Sequence, residues 1–205
     1  MTAAPGPVIT YAAVSTLEVE VKLQVRDASG IPSRMAEIGA RLLHPREFED
    51  NHLYDFPDRA LLKQGGMLRV RATGRGTLLT YKDGARIEAG AKVREEVETG
   101  LAAAEAGPLA EIFRRIGMEV IFRYQKYRTT WQVDDSLVTL DETPIGFYLE
   151  IEGPRDGIDA VATRLGYSTI DYIPHSYRDL YLTSLARTPG PVDRMVFHDR
   201  DKEEG

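Results

Sequence analysis

Polar and apolar residues alternate strictly in "TLEVEVKLQV", residues 16 to 25, where Glu18, Glu20 and Lys22 fall two apart between Leu17, Val19, Val21 and Leu23. A period of two is that of a β-strand, so one charged and one apolar face are expected. The alternation returns along the chain. "EFEDNHLYDFPD" predicts a strand ending near Pro57, and "MLRVRATGRGTLLTYKDG" a hairpin with "GRG" at its turn. In "KVREEVETG", Lys92, Arg94, Glu96 and Glu98 share a face opposite Val93 and Val97. "MEVIFRYQKYRTTWQV", "SLVTLDET" and "GFYLEIEGP" predict further strands, separated by turns at Asp134–Asp135 and Pro144. Helical spacing appears in "GIPSRMAEIGARLL" (Met35, Ile38, Leu42, with a Ser33 cap), in "AAAEAGPLAEIFRRIG" from near Pro108, in "GIDAVATRLG" and in "SYRDLYLTSLAR". "GARIEAGA" reads as a mobile loop. No repeat of fixed period exists, which disfavours solenoids and propellers. About eight strands with helices inserted at intervals predict an α+β fold, an antiparallel barrel or a strongly curved sheet.

Composition narrows this picture. With 205 residues, 42% hydrophobic and 28% charged, the chain is long enough to bury a sizeable core in one domain. The expected division is an extension over residues 1–15, a single domain over 16–187 and a flexible tail over 188–205. A net charge of −6 argues against a general nucleic-acid or acidic-membrane binder. The absence of cysteine excludes disulfides and thiolate metal sites, and none of the four histidines has zinc-ligand spacing. No apolar run reaches spanning length, so a cytoplasmic protein without a membrane role is expected.

The charged strand faces carry the candidate chemistry. Glu18, Glu20 and Lys22 are followed by Arg69 and Arg71, Lys82, Arg94 with Glu96 and Glu98, Lys126 and Arg128, Asp141, and Glu150 with Glu152. Periodicity alone leaves two arrangements open: charged faces turned outward over an apolar interior, or inward into a polar tunnel with helices covering the apolar faces. Two features favour the second. Arginine, whose planar fork suits phosphate oxygens, outnumbers lysine on these faces. The pairs Glu18/Glu20 and Glu150/Glu152 each place carboxylates about 7 Å apart on one strand face, which suits hard divalent ions shared with a phosphate ligand.

Taken in order, "EVEVK", "LRVR", "LLTYK", "KVREEVE", "KYRTTW", "LDE" and "YLEIEGP" resemble the CYTH family of triphosphate tunnel metalloenzymes over roughly residues 16 to 185. The resemblance implies an eight-stranded antiparallel β-barrel with helices packed outside, holding a triphosphate with Mg²⁺ or Mn²⁺. It makes Glu18, Glu20, Asp141, Glu150 and Glu152 metal-side carboxylates. Lys22, Arg69, Arg71, Lys82, Arg94, Lys126 and Arg128 become the phosphate cradle, and Lys126 is similar to the lysine that activates water in triphosphatases of the family. The implied substrates are tripolyphosphate, ATP or thiamine triphosphate, and a homodimer is plausible by family analogy. Hydrolysis is the favoured reaction. Class IV adenylyl cyclases carry His-Phe where this chain has Ala12 and Ala13, which disfavours cyclisation; a non-catalytic triphosphate-binding module is the remaining alternative. Tyr54, Tyr124, Tyr127 and Trp131 are expected in packing roles, His52 and His175 as structural, and Arg123 has the wrong parity to join Lys126 and Arg128.

Overall fold

Residues 15–198 are described by a computed structural model, and the alternating segments form its strands. These are β1 (Ser15–Val25), β2 (Arg41–Asp55), β3 (Met67–Thr73), β4 (Gly76–Lys82), β5 (Arg86–Glu88), β6 (Ala91–Leu101), β7 (Glu119–Val133), β8 (Ser136–Thr143), β9 (Gly146–Glu152) and β10 (Arg194–Met195). Eight of them close into an antiparallel barrel in the order β1-β9-β8-β7-β2-β3-β4-β6, with β6 pairing back onto β1. Strand β5 forms a hairpin with β6, and β10 lies parallel to β7. The helices are α1 (Ile31–Glu37), α2 (Ala60–Lys63), α3 (Ala106–Arg115), α4 (Arg155–Arg164) and α5 (Tyr177–Ser184). None is long and apolar enough to cross a membrane.

The largest hydrophobic cluster lies outside the barrel, and this settles which way the charged faces look. Val21, Leu23 and Val25 of β1 join Val138, Leu140, Leu149 and Ile151, and pack against Ile31 and Met35 of α1 and Ile158, Val161 and Ala162 of α4. A second cluster, on the lumen face of the strands where α5 crosses one end of the barrel, gathers Phe122, Tyr124 and Tyr148 with Tyr177 and Tyr181 of α5 and Met195 of β10. A third places Val70 and Met118 against Phe113 of α3. Each fully buried aliphatic side chain contributes roughly 1.5–3 kcal/mol. Because neighbours on a strand point to opposite sides, committing Val21 and Leu23 to the helices commits Glu20 and Lys22 to the lumen.

Several local expectations differ from what forms. The first helix stops at Glu37, and Gly39 adopts φ +72°, so Leu42 belongs to β2 rather than to a helical face. Ser33 sits inside that helix, Gly30 occupies the cap position, and no side chain caps it. The segment read as a mobile loop contains β5. Helix α2 has no sequence signal of its own; the buried Asp55 carboxylate accepts hydrogen bonds from the amides of Phe56, Leu61 and Leu62 at 2.7, 3.0 and 2.9 Å and so caps it from the end of β2. Beyond residue 188, where sequence suggests a flexible tail, the β10 residue Met195 is only 1% exposed. Ala12, Ala13 and the segment "DRDKEEG" lie outside the described residues.

Candidate functional site

The register of β1 with its neighbours builds one wall. Glu18 stands opposite Arg94 and Glu20 opposite Lys92 on β6; on the other side Glu20 faces Glu152 and Lys22 faces Glu150 on β9. The opposite wall comes from β7, β2 and β3, where Lys126 faces Glu49 and Asn51 faces Arg71. All of these except Asn51 line a cavity of about 900 Å³ along the barrel axis.

Nearly every cation in it holds a carboxylate. Glu18 accepts from Lys82 Nζ at 2.5 Å and from Arg94 Nε at 2.8 Å, and Lys82 also reaches Glu96 at 2.6 Å. Glu20 lies 3.3 Å from Lys92 Nζ and 3.5 Å from Arg94. Lys22 Nζ donates to Glu150 at 2.6 Å, while the other oxygen of Glu150 accepts from Arg128. Arg69 donates to Thr80 Oγ1 at 3.1 Å and lies 3.7 Å from Glu98. Arg71 is 3.5 Å from Glu49. Asp141 takes two bonds from Arg128, both 2.6 Å, one from Lys126 at 2.8 Å and one from the Tyr177 hydroxyl at 2.7 Å.

Burial raises the cost of every unpaired charge here, so the partners decide the protonation states. Burial and Glu150 push the Glu20 carboxyl upward, yet Lys22, Lys92 and Lys82 hold it at about 2. Glu150 lies well below the carboxylate range: Lys22 and Arg128 outweigh its burial. Burial and the like charge of Arg69 lower Arg71. Glu152 is the exception. Burial, and then the carboxylate of Glu18, raise it from 4.5 to about 7. Its side chain is open to water inside the mouth, although protein surrounds it on most sides.

All the residues expected to form the site are brought together, with one difference of placement. Glu18, Glu20, Glu150, Glu152, Lys22, Arg69, Arg71, Lys82, Arg94, Lys126 and Arg128 all line the cavity. Asp141 does not: it is 0% exposed behind Lys126 and Arg128, and both its oxygens are occupied. In that placement it holds the two cations. Arg123 points the other way and pairs with Asp50, as its parity requires.

Sequence reasoning missed Glu49, which is 3% exposed and held well below the usual carboxylate range, against its burial, by Lys126, Arg128 and Arg71. It also missed Tyr177, whose ring lies under Lys22 Nζ at 4.3 Å and Lys126 Nζ at 5.2 Å. Tyr124, expected only in packing, lines the cavity as well, and Arg69, Lys126 and Arg71 lower its hydroxyl against the effect of burial. Neither Glu49, which stands next to the acid Asp50 on the opposite face of β2, nor Tyr177 is marked by the sequence alone.

The donor set suits a hard divalent ion, because it consists of carboxylate oxygens. Glu152 supplies the observation: it has no cation or hydrogen-bond partner among the described residues, and its cross-strand neighbour is Glu20. Among the described residues, no three acidic or histidine side chains stand together as a ready cage, since Glu18 and Glu20 are held by lysine and arginine.

The sequence pattern of the CYTH domain matches residues 16–177. The chain belongs to the CYTH family. No curated protein matches it, whereas solved structures do. A candidate adenylate cyclase from Vibrio parahaemolyticus superposes with a TM-score of 0.69 at 21% identity, covering 81% of this chain and 98% of that one. A protein from Pyrococcus horikoshii OT3 gives 0.63 at 25% identity, covering 78% and 96%. A candidate adenylyl cyclase from Hippeastrum, described as having a dominant triphosphatase activity, gives 0.63 at 15% identity, covering 86% and 99%. These likenesses establish the CYTH barrel, within which the cations and carboxylates of this chain are arranged as described.

Proposed function

We propose that this CYTH protein is a divalent-metal-dependent phosphohydrolase acting on a triphosphate. The observation that carries the reading is the lumen itself, where Lys22, Arg69, Arg71, Lys82, Arg94, Lys126 and Arg128 converge from five strands on one cavity and hold carboxylates at their tips. A polyanion can take the place of those carboxylates. Phosphate oxygens then satisfy the guanidinium forks, and Glu18 and Glu20 are released towards Glu152. Glu18, Glu20 and Glu152 are the residues that would hold Mg²⁺ or Mn²⁺, which, when bound, neutralises charge on the phosphate oxygens and activates water.

The protein's own groups do the rest. Phosphoryl transfer demands little covalent chemistry but much positioning and charge stabilisation, and fixed arginines provide both without reorganising. Asp141 and Tyr177 fix Lys126 and Arg128 from behind, so their donors already point into the lumen. Lys126, 1% exposed, is the group best placed to orient an attacking water or steady the leaving oxygen. ATP cyclisation is the second reading, favoured by "NHLYDFPD" and "LDETPIGFYLEIEGP", which resemble the adenylyl cyclase branch of the family.

The test is a product assay with Mg²⁺ or Mn²⁺ on tripolyphosphate, ATP and thiamine triphosphate. Orthophosphate release is expected. Cyclic AMP with pyrophosphate would replace the hydrolase reading with a cyclase, and tight binding without turnover would leave a binding module.

A further inference from the structure

One cation of the lumen has no acid. Every other Lys and Arg lining the cavity has a carboxylate within 3.7 Å, but Arg178, on the first turn of α5, has none among the described residues. Its Nε is buried and donates its hydrogen to no partner among the described residues. Burying a guanidinium nitrogen without a hydrogen bond is costly, and a fold that keeps one beside a cavity is poised for an anion.

The place of Arg178 along the barrel says which anion. Its segment caps one end: Ile173 N donates to Lys22 O at 2.8 Å, Lys92 Nζ reaches His175 O at 3.3 Å, and Tyr177 bonds Asp141. Leu62 of α2 and the Gly65–Gly66 loop line the cavity at the same end. At the far end the lining comes from strands and the β3–β4 turn, including Thr16, Leu137 and Thr139, and there stands the unpartnered Glu152. The lumen is thus polarised, with a free cation at the capped end and a free carboxylate at the strand-lined mouth. A triphosphate in such a field lies with its most highly charged group deepest. That group is the terminal phosphate, which carries one more ionisable oxygen than the internal ones.

Resting on the triphosphate reading above, we infer that Arg178 binds the terminal phosphate of the substrate, so that the chain enters terminal phosphate first and any organic substituent stays at the strand-lined mouth. The site therefore selects triphosphates with an unblocked terminal phosphate and has little grip on what is esterified at the other end. Tripolyphosphate and nucleoside triphosphates are both in this class, and a triphosphate esterified at both ends is not.

The experiment measures binding by calorimetry, with Mn²⁺ present, for tripolyphosphate, ATP and ATP carrying a methyl ester on its terminal phosphate, using the wild type, Arg178→Gln and Arg178→Lys. Charge-assisted bonds of this kind correspond to about ten- to a hundredfold in affinity. The wild type is expected to prefer ATP to the ester by about that factor. Arg178→Gln should erase the preference, Arg178→Lys should keep part of it, and the thermal midpoint should hold in both. Equal weakening of ATP and its ester by Arg178→Gln would overturn the assignment, since a structural role or a contact with the organic part acts on both alike. Failure of the wild type to bind any of the three would overturn the triphosphate reading and this inference together. Binding without turnover would remove only the hydrolase reading and leave the Arg178 comparison intact.

Discussion

Strand β7 carries two arginine–aspartate pairs of nearly the same geometry on its two faces. Outside, Arg123 makes a forked contact with Asp50 at 2.9 and 2.5 Å; inside, Arg128 makes one with Asp141 at 2.6 and 2.6 Å. Their surroundings separate them. The side chains of the outer pair are 43% and 19% exposed, those of the inner pair 18% and 0%. Asp50 serves one arginine with help from Gln125, whereas Asp141 also holds Lys126 and Tyr177, and Arg128 also holds Glu150. The same bond is thus surface trim on one face and part of a shared network on the other. Enclosure and sharing, rather than residue type, make the lumen a site.

Removing the inner acid should therefore have the largest effect. Asp141→Asn leaves Lys126 and Arg128 buried with only Glu49 and Glu150 to answer them, and breaking such a pair costs about 3–5 kcal/mol. Urea unfolding should show that loss, and tripolyphosphate should restore part of it by supplying anionic oxygens. A loss below about 1 kcal/mol, the scale of an exposed pair, would mean that inner and outer pairs are equivalent.

Glu152→Gln should act on chemistry more than on folding. The folded protein raises this carboxyl from 4.5 to about 7 through burial and Glu18. A raised group favours its protonated form in the fold, so its contribution is fully present below pH 4.5 and is lost as pH rises through 7. Without metal, the wild type should lose stability relative to Glu152→Gln between pH 5 and pH 8, by about 1 kcal/mol or less because water reaches the side chain. Saturating Mn²⁺ should remove that deficit, and the variant should lose metal-dependent turnover. Wild-type turnover in Glu152→Gln would end the metal assignment, and an unchanged pH difference would remove its electrostatic basis.

Strand parity made most of this legible. The E-x-E-x-K of β1 and the K-x-R of β7 fix which side chains share a face, and the family resemblance turned that face inward; the apolar residues beneath α1 and α4 confirm the direction. The losses have physical causes. In β2, Glu49 and Asp50 are adjacent acids on opposite faces, and register shifts between Leu42 and Glu47 break the alternation that would have told them apart. Tyr177 and Arg178 reach the lumen because a helix 36 residues beyond Asp141 folds across the barrel end, a contact that no local pattern encodes. The buried cap that Asp55 gives to α2 is equally non-local.

The smallest effect belongs to the outer pair. Arg123→Ala should cost less than about 1 kcal/mol, with much of that screened away in high salt, and should leave turnover and triphosphate affinity unchanged. A double-mutant cycle with Asp50→Ala isolates the coupling. Its result bears on the lumen too, because Arg123 is the partner of Arg194 where β10 lies along β7, and Met195 beside it packs with Tyr177. If the cycle returns several kcal/mol, or if Arg123→Ala lowers turnover, the outer face is supporting the capped end through β10. The division between trim and site would then fall along the chain rather than between the two faces of the strand.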